Sequence, residues 1–257
     1  MKKVNLDCKF DDSVARIIFD DGRGNIFDHI MMAELATILN SFRKQNDLKL
    51  ITFEGAGENF SLGANMEEYT KEKAAEMLYS FHKIFYALMN LHIPTLAMIS
   101  GQCMGSGFEI PLMCNFIFAD KTAQFGQPEI LIGLFPPPAS IILPLKIGHL
   151  KAEELLITGK IIDVEEAKTL GLINEVYEDK ETMETEVNKW INKNILGKSA
   201  SSLRYAVKAA RASFDYFMYK NLPLFTDLYV NELMETEDAN EGVNSFIEKR
   251  KPIWKNC

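Results

Sequence analysis

Short apolar runs rich in β-branched residues alternate with stretches of helical spacing as far as about residue 176, and then the apolar runs stop. Residues 3–10 and Val14–Phe19 predict two strands, separated by a turn from a helix that runs from Asp28 to about Gln45. Along that helix Ile30, Met31, Leu35, Ile38, Leu39 and Phe42 recur at helical spacing. The turn, Asp20-Asp21-Gly22-Arg23-Gly24-Asn25, is built of residues that allow positive φ or hydrogen-bond their own backbone. Residues 48–54 predict a third strand, with a loop over 55–59. The unit then recurs: a helix within 66–91, a short buried strand at 94–100, a glycine-punctuated turn at 101–107, a helix at 108–114 and a strand at 116–119. Strands alternating with helices define an α/β fold. Beyond residue 176 only helices are expected, at 182–195, 201–213, 216–234 and 240–249. No Ser/Gly-rich linker marks the change, so the expected division is a core of residues 1–195 and a helical region, 196–257, packed on its own core or on another subunit.

Composition narrows the function. Twenty-eight basic residues against 36 acidic give a net charge of −8, which repels phosphate backbones and argues against nucleic acid as the main partner. No run approaches the ~20 apolar residues that a membrane span needs, and the first residues lack the apolar core of a signal peptide. The four cysteines, Cys8, Cys103, Cys114 and Cys257, are scattered without metal-ligand spacing, as expected of free thiols in a reducing cytoplasm. His29, His82, His92 and His149 share no motif and read as surface or core residues.

Three segments could carry chemistry. In Phe60-Ser61-Leu62-Gly63-Ala64-Asn65-Met66, a glycine between a loop and a helix lets backbone N–H groups face a cavity and hold a polarised carbonyl. Read alone, it is a small-residue turn. In Gly101-Gln102-Cys103-Met104-Gly105-Ser106-Gly107-Phe108-Glu109, a buried strand enters a glycine turn, and the following helix starts with a carboxylate. Pro111 fits a first turn that needs no N–H donor, and Glu109 read locally is a favourable charge at a helix N-terminus. In the third, Gln124-Phe125-Gly126-Gln127-Pro128-Glu129-Ile130, a carboxylate stands in an apolar stretch, where it is costly unless paired, used or turned to water. Taken together, two turns with backbone donors and two carboxylates suit proton chemistry beside a thioester.

These segments, with Ala167-Lys168-Thr169-Leu170-Gly171-Leu172-Ile173-Asn174-Glu175-Val176 and Phe246-Ile247-Glu248-Lys249-Arg250, resemble the enoyl-CoA hydratase (crotonase) family in order, spacing and content over almost the whole chain. What the resemblance implies is a ClpP-like spiral of ββα repeats, a C-terminal helical region used in trimerisation, and a homotrimer or homohexamer. It further implies an acyl-CoA thioester substrate, with coenzyme A entering as part of that substrate and no other cofactor or metal. The oxyanion donors would be the N–H groups of Ala64 and Ser106, and the catalytic carboxylates Glu109 and Glu129. The coenzyme A would lie against Asn25, Ile26, Gly63, Ala64, Asn65 and Met66, with Lys249 near its phosphates, supplied by a neighbouring subunit.

The chain departs from the common family pattern at Ser106, at Asn65 and in the run Pro136-Pro137-Pro138-Ala139, where prolines replace flexible glycines. That run is expected to shape the acyl pocket. Together with Asn25-Ile26-Phe27-Asp28, Gly101-Gln102-Cys103, Ser199-Ala200-Ser201-Ser202-Leu203-Arg204 and Glu232-Leu233-Met234, it resembles the cyclohexa-1,5-diene-1-carbonyl-CoA hydratases of anaerobic benzoyl-CoA degradation. This implies water addition to a cyclic dienoyl thioester. The alternatives are a general 2-enoyl-CoA hydratase and a non-catalytic relative that binds RNA or a protein partner.

Overall fold

The computed structural model describes residues 2–257. The strand candidates at the start of the chain become β1 (Val4–Lys9), β2 (Val14–Phe19) and β3 (Leu50–Gly55), with α1 (His29–Ser41) between the last two. After α2 (Ala74–Leu91) follow β4 (Thr95–Ile99), β5 (Gln102–Met104), α3 (Ser106–Met113), β6 (Phe116–Asp120) and β7 (Gln124–Gly126). Helices α4 (Pro137–Ile147) and α5 (His149–Thr158) lead to β8 (Ile161–Asp163), α6 (Val164–Thr169) and β9 (Glu175–Tyr177). The chain ends in α7 (Lys180–Ile191), α8 (Ala200–Ala210), α9 (Ala212–Asp227) and α10 (Glu237–Ile247).

A six-stranded sheet has the order β1-β2-β3-β4-β6-β9, antiparallel at β1–β2 and parallel from there on. A three-stranded sheet, β5-β7-β8, stands beside it. The large sheet is covered on both faces, which is why its inner strands are continuous apolar runs. Odd-numbered side chains such as Ile17, Phe19, Ile51, Phe53, Ala97 and Ile99 join the main core with α1 and α2. Even-numbered ones, Val14, Leu50, Leu96, Met98 and Phe118, pack against Met183, Val187 and Ile191 of α7. A one-residue slip in register would exchange the two sets.

Phe19 is buried among the rings of Phe27, Phe53 and Phe60, with centroids 5.0, 6.2 and 5.7 Å away. Truncating such a ring costs about 3–5 kcal/mol. Here the rings also tie two loops, one ending in Phe27 and the other starting at Phe60, to the sheet. Those loops lead into the site.

The expectation for the C-terminal region is corrected in one respect. Met218, Leu222, Tyr229, Met234, Ala239 and Val243 belong to the same apolar cluster as the sheet, so residues 196–257 share its core instead of owning one. Helix α3 also starts two residues earlier than its pattern suggests, at Ser106, which puts Pro111 in the second turn. The Gly107 carbonyl that Pro111 cannot satisfy lies 3.8 Å from the Cys103 thiol, which points at it. The four cysteines are free.

Candidate active site

Two short parallel bridges bring the loops together, Phe27 beside Ala64 and Ser61 beside Cys103. The Ser61 N–H donates to the Gln102 carbonyl at 3.0 Å, and the Met104 N–H donates to the Ser61 carbonyl at 3.0 Å. The Ser61 hydroxyl donates to the Asn25 carbonyl at 2.7 Å and accepts from the Gly63 N–H at 3.1 Å. The segments carrying Ala64 and Ser106 are thereby fixed side by side. Among the described residues, neither the Ala64 nor the Ser106 N–H donates to a carbonyl. Both residues line one cavity of about 360 Å³, a size typical of small-molecule sites.

Glycine is required twice in this arrangement. Gly105 turns the chain into α3 at φ +51°, and a Cβ there would stand 2.8 Å from Glu129 Oε1. A Cβ on Gly107 would stand 2.4 Å from the Ser61 side chain. The backbone that presents the Ser106 N–H can approach its neighbours only without side chains at those positions.

Glu129 lines the cavity and is half-buried, whereas Glu109 is 2% exposed and is not among the lining residues. Burial holds the Glu109 carboxyl well above the usual range, the charge of Glu129 adds to this, and the Ala139 N–H, donating to Glu109 Oε1 at 2.9 Å, opposes it. Burial pushes Glu129 up to about 8. With its nitrogen turned toward the carboxylate, the buried Gln127 amide donates to both Glu129 oxygens at 3.1 Å. A charge on Glu129 disfavours ionisation of Glu109, so the two carboxyls titrate as a coupled pair.

The rest of the wall is apolar: Leu62, Met66, Met104, Leu131, Ile132, Leu134 and Phe246. One polar spot interrupts it, where the Tyr69 and Ser106 hydroxyls are hydrogen-bonded at 2.8 Å. Sequence reasoning did not single out Tyr69 or Gln127 as site residues. Tyr69 lies 37 positions from its partner and carries no local signal, whereas Gln127, two residues before Glu129, was within reach.

Two expectations need correction. Pro136, Pro137, Pro138 and Ala139 are buried at the start of α4 and do not line the cavity; Ala139 acts on the site through its N–H alone. Asn25 is 2% exposed at φ +61°, and its amide nitrogen points at the carbonyls of Ala56, Asn59 and Phe60. Its side chain is committed to the scaffold and is not free to hold coenzyme A. Ile26 is half-buried with its N–H on Asp21, and Asn65 caps a short 3₁₀ turn. Gly63, Ala64 and Met66 remain on the cavity wall, while Lys249 is exposed just beyond α10.

Known proteins resemble this chain in sequence and in fold. Residues 9–257 match the enoyl-CoA hydratase/isomerase family. A cyclohexa-1,5-dienecarbonyl-CoA hydratase of Thauera aromatica is 37% identical over 246 residues, covering 96% of this chain and 94% of that protein. A probable mitochondrial enoyl-CoA hydratase of Dictyostelium discoideum is 29% identical, covering 88% of this chain and 81% of that protein. In fold, an enoyl-CoA hydratase from Mycobacterium avium subsp. paratuberculosis superimposes with a TM-score of 0.87 at 22% identity, covering 99% of each chain. The chain belongs to the enoyl-CoA hydratase/isomerase family of acyl-CoA enzymes.

Proposed function

We propose that this protein adds water to a conjugated cyclic acyl-CoA, converting cyclohexa-1,5-diene-1-carbonyl-CoA to 6-hydroxycyclohex-1-ene-1-carbonyl-CoA in the anaerobic breakdown of benzoyl-CoA. The observation that carries the hydratase reading is one apolar cavity lined by two unengaged backbone N–H groups and the half-buried Glu129, whose charge acts on the buried Glu109. The choice of a ring diene is supported by the Thauera aromatica relative and by the proline run that the sequence carries at 136–138.

The thioester carbonyl accepts from the N–H groups of Ala64 and Ser106. As the water oxygen bonds to the ring, the C=C electron pair moves toward that carbonyl oxygen. Donors aimed there stabilise the developing charge, each contributing about 3–4 kcal/mol. Glu109 takes the proton that the water loses; the Ala139 N–H favours its ionised form against the burial that opposes it. Glu129, raised by burial to about 8, gives a proton to carbon. For a ring diene that carbon can be the distal one, which makes the overall event a 1,4-addition. Exposed apolar residues on α8 and α9, Tyr205, Tyr216, Phe217 and Leu224, support assembly into a trimer or hexamer.

One spectrophotometric assay tests the substrate. The reading expects a higher kcat/KM for cyclohexa-1,5-diene-1-carbonyl-CoA than for crotonyl-CoA. The reverse order would assign a general 2-enoyl-CoA hydratase. RNA binding without turnover of either ester would assign a non-catalytic protein.

A further inference from the structure

Among the residues that line the cavity, only Tyr69, Ser106 and Glu129 carry polar side chains. Tyr69 is 7% exposed and Ser106 4%, and their hydroxyls are hydrogen-bonded to each other at 2.8 Å. Among the described residues, neither hydroxyl makes a second hydrogen bond. Two hydroxyls hold two protons and their mutual bond uses one, so one O–H is left to donate within the cavity. A phenol is the stronger acid and an alkyl hydroxyl the better acceptor. The favoured arrangement therefore has Tyr69 donating to Ser106 Oγ, with the Ser106 O–H free. Burial, with the charges of both glutamates adding to it, raises the ionisation of Tyr69 above its ordinary value, so the phenol stays a neutral donor. The free O–H thus belongs to the residue whose unengaged backbone N–H lines the same cavity. Both groups of one serine stem from the same α-carbon and can reach a common acceptor. Ser106 is also a departure from the common family pattern, and presenting a backbone N–H does not require its hydroxyl.

We propose that the Ser106 hydroxyl is a third donor to the thioester oxygen, beside the N–H groups of Ala64 and Ser106, and that Tyr69 is the positioning residue that turns its proton toward that oxygen. The inference rests on the hydratase reading, which places the thioester carbonyl at those two N–H groups. Hydrogen bonds in series polarise one another, so the Tyr69 O–H strengthens the Ser106 donor as negative charge grows on the oxygen. The surrounding wall is apolar, where such a bond is stronger than in water. No proton is transferred, and both hydroxyls stay neutral. Because the charge develops in the transition state, the contact acts on kcat more than on binding of the ester.

Ser106→Ala removes the hydroxyl and keeps the N–H, and Tyr69→Phe removes only the donor behind it. Cyclohexanecarbonyl-CoA, which has no double bond to hydrate, is isotopically labelled at the thioester carbonyl and bound to each protein for infrared difference spectroscopy. Wild type should lower the carbonyl stretching frequency relative to free ester. Ser106→Ala should lose part of that shift, and Tyr69→Phe a smaller part. With cyclohexa-1,5-diene-1-carbonyl-CoA, kcat should fall about tenfold in Ser106→Ala and by less in Tyr69→Phe. The double variant should be no slower than Ser106→Ala, because Tyr69 acts through Ser106. A full wild-type carbonyl shift in Ser106→Ala, or losses that multiply in the double variant, overturns the proposal. Should Tyr69→Phe fail to fold, the Ser106→Ala spectrum decides alone. If wild type itself does not shift the carbonyl, the placement of the thioester falls and this donor falls with it. If the shift is present but wild type hydrates no enoyl thioester, the hydratase reading fails by itself and the Ser106→Ala spectrum still decides the role of the hydroxyl.

Discussion

The Ala139 N–H donates to Glu109 Oε1 at 2.9 Å, so the proline run acts on the chemistry through the backbone and not through its rings. Pro137 and Pro138 occupy the first positions of α4, where fixed φ suits the helix and no N–H is missed. They hold the Ala139 N–H in place with little entropy left to lose. Replacing both by glycine should lower Tm, by about 1 kcal/mol of stability per site. It should also reduce kcat severalfold with a smaller change in KM, because the carboxylate loses its orientation while the thioester donors stay. Steady-state kinetics with a melting curve checks this; unchanged kcat would show that the run only fills space.

Gly105 is a second point where backbone controls a carboxyl. In Gly105→Ala the new Cβ would meet Glu129 Oε1 at 2.8 Å, at a φ that alanine tolerates poorly. A loss of about 1–3 kcal/mol of stability is expected, with a fall in kcat larger than that of Ser106→Ala, which keeps the backbone N–H. Near-equal activities of the two variants would contradict the assigned role of the turn.

The raised pKa of Glu129 has a signed consequence. Its folded value is about 8 and its ordinary value 4.5. Between them the native protein holds a proton that the unfolded chain has released, so this group's contribution to stability declines as pH rises through that window and levels off above it. The Tm of wild type should therefore drop relative to Glu129→Gln between pH 5 and pH 8.5. In parallel, kcat/KM should fall above about pH 8 as the acid form is lost. Parallel melting curves for the two proteins across that range would show that Glu129 is not protonated in the fold.

Sheet and site were unequally legible in the sequence. Strands such as Val14–Phe19 and Leu50–Gly55 are buried on both faces and announce themselves as apolar runs. The strands of the small sheet have three residues each, too few for a period to be read. Glu109 and Glu129 stood out because glycine turns and apolar neighbours framed them. Tyr69 carried no local signal, and only folding brings its hydroxyl to that of Ser106. The proline run was misplaced because a sequence shows which residues are stiff, not which side of a wall they occupy. Asn25 was misread for a similar reason: its turn adjoins the site, but its amide faces inward to three carbonyls.

The central claim is that two acidic side chains move protons around a thioester held by main-chain amides. The most direct measurement compares wild type with Glu109→Gln and Glu129→Gln, recording kcat by loss of the conjugated ester's absorbance and ester Kd by calorimetry. Each variant should lose roughly 10²-fold or more in kcat while binding the ester nearly as wild type. Wild-type turnover in either variant, or loss of ester binding matching the loss of rate, would contradict the account.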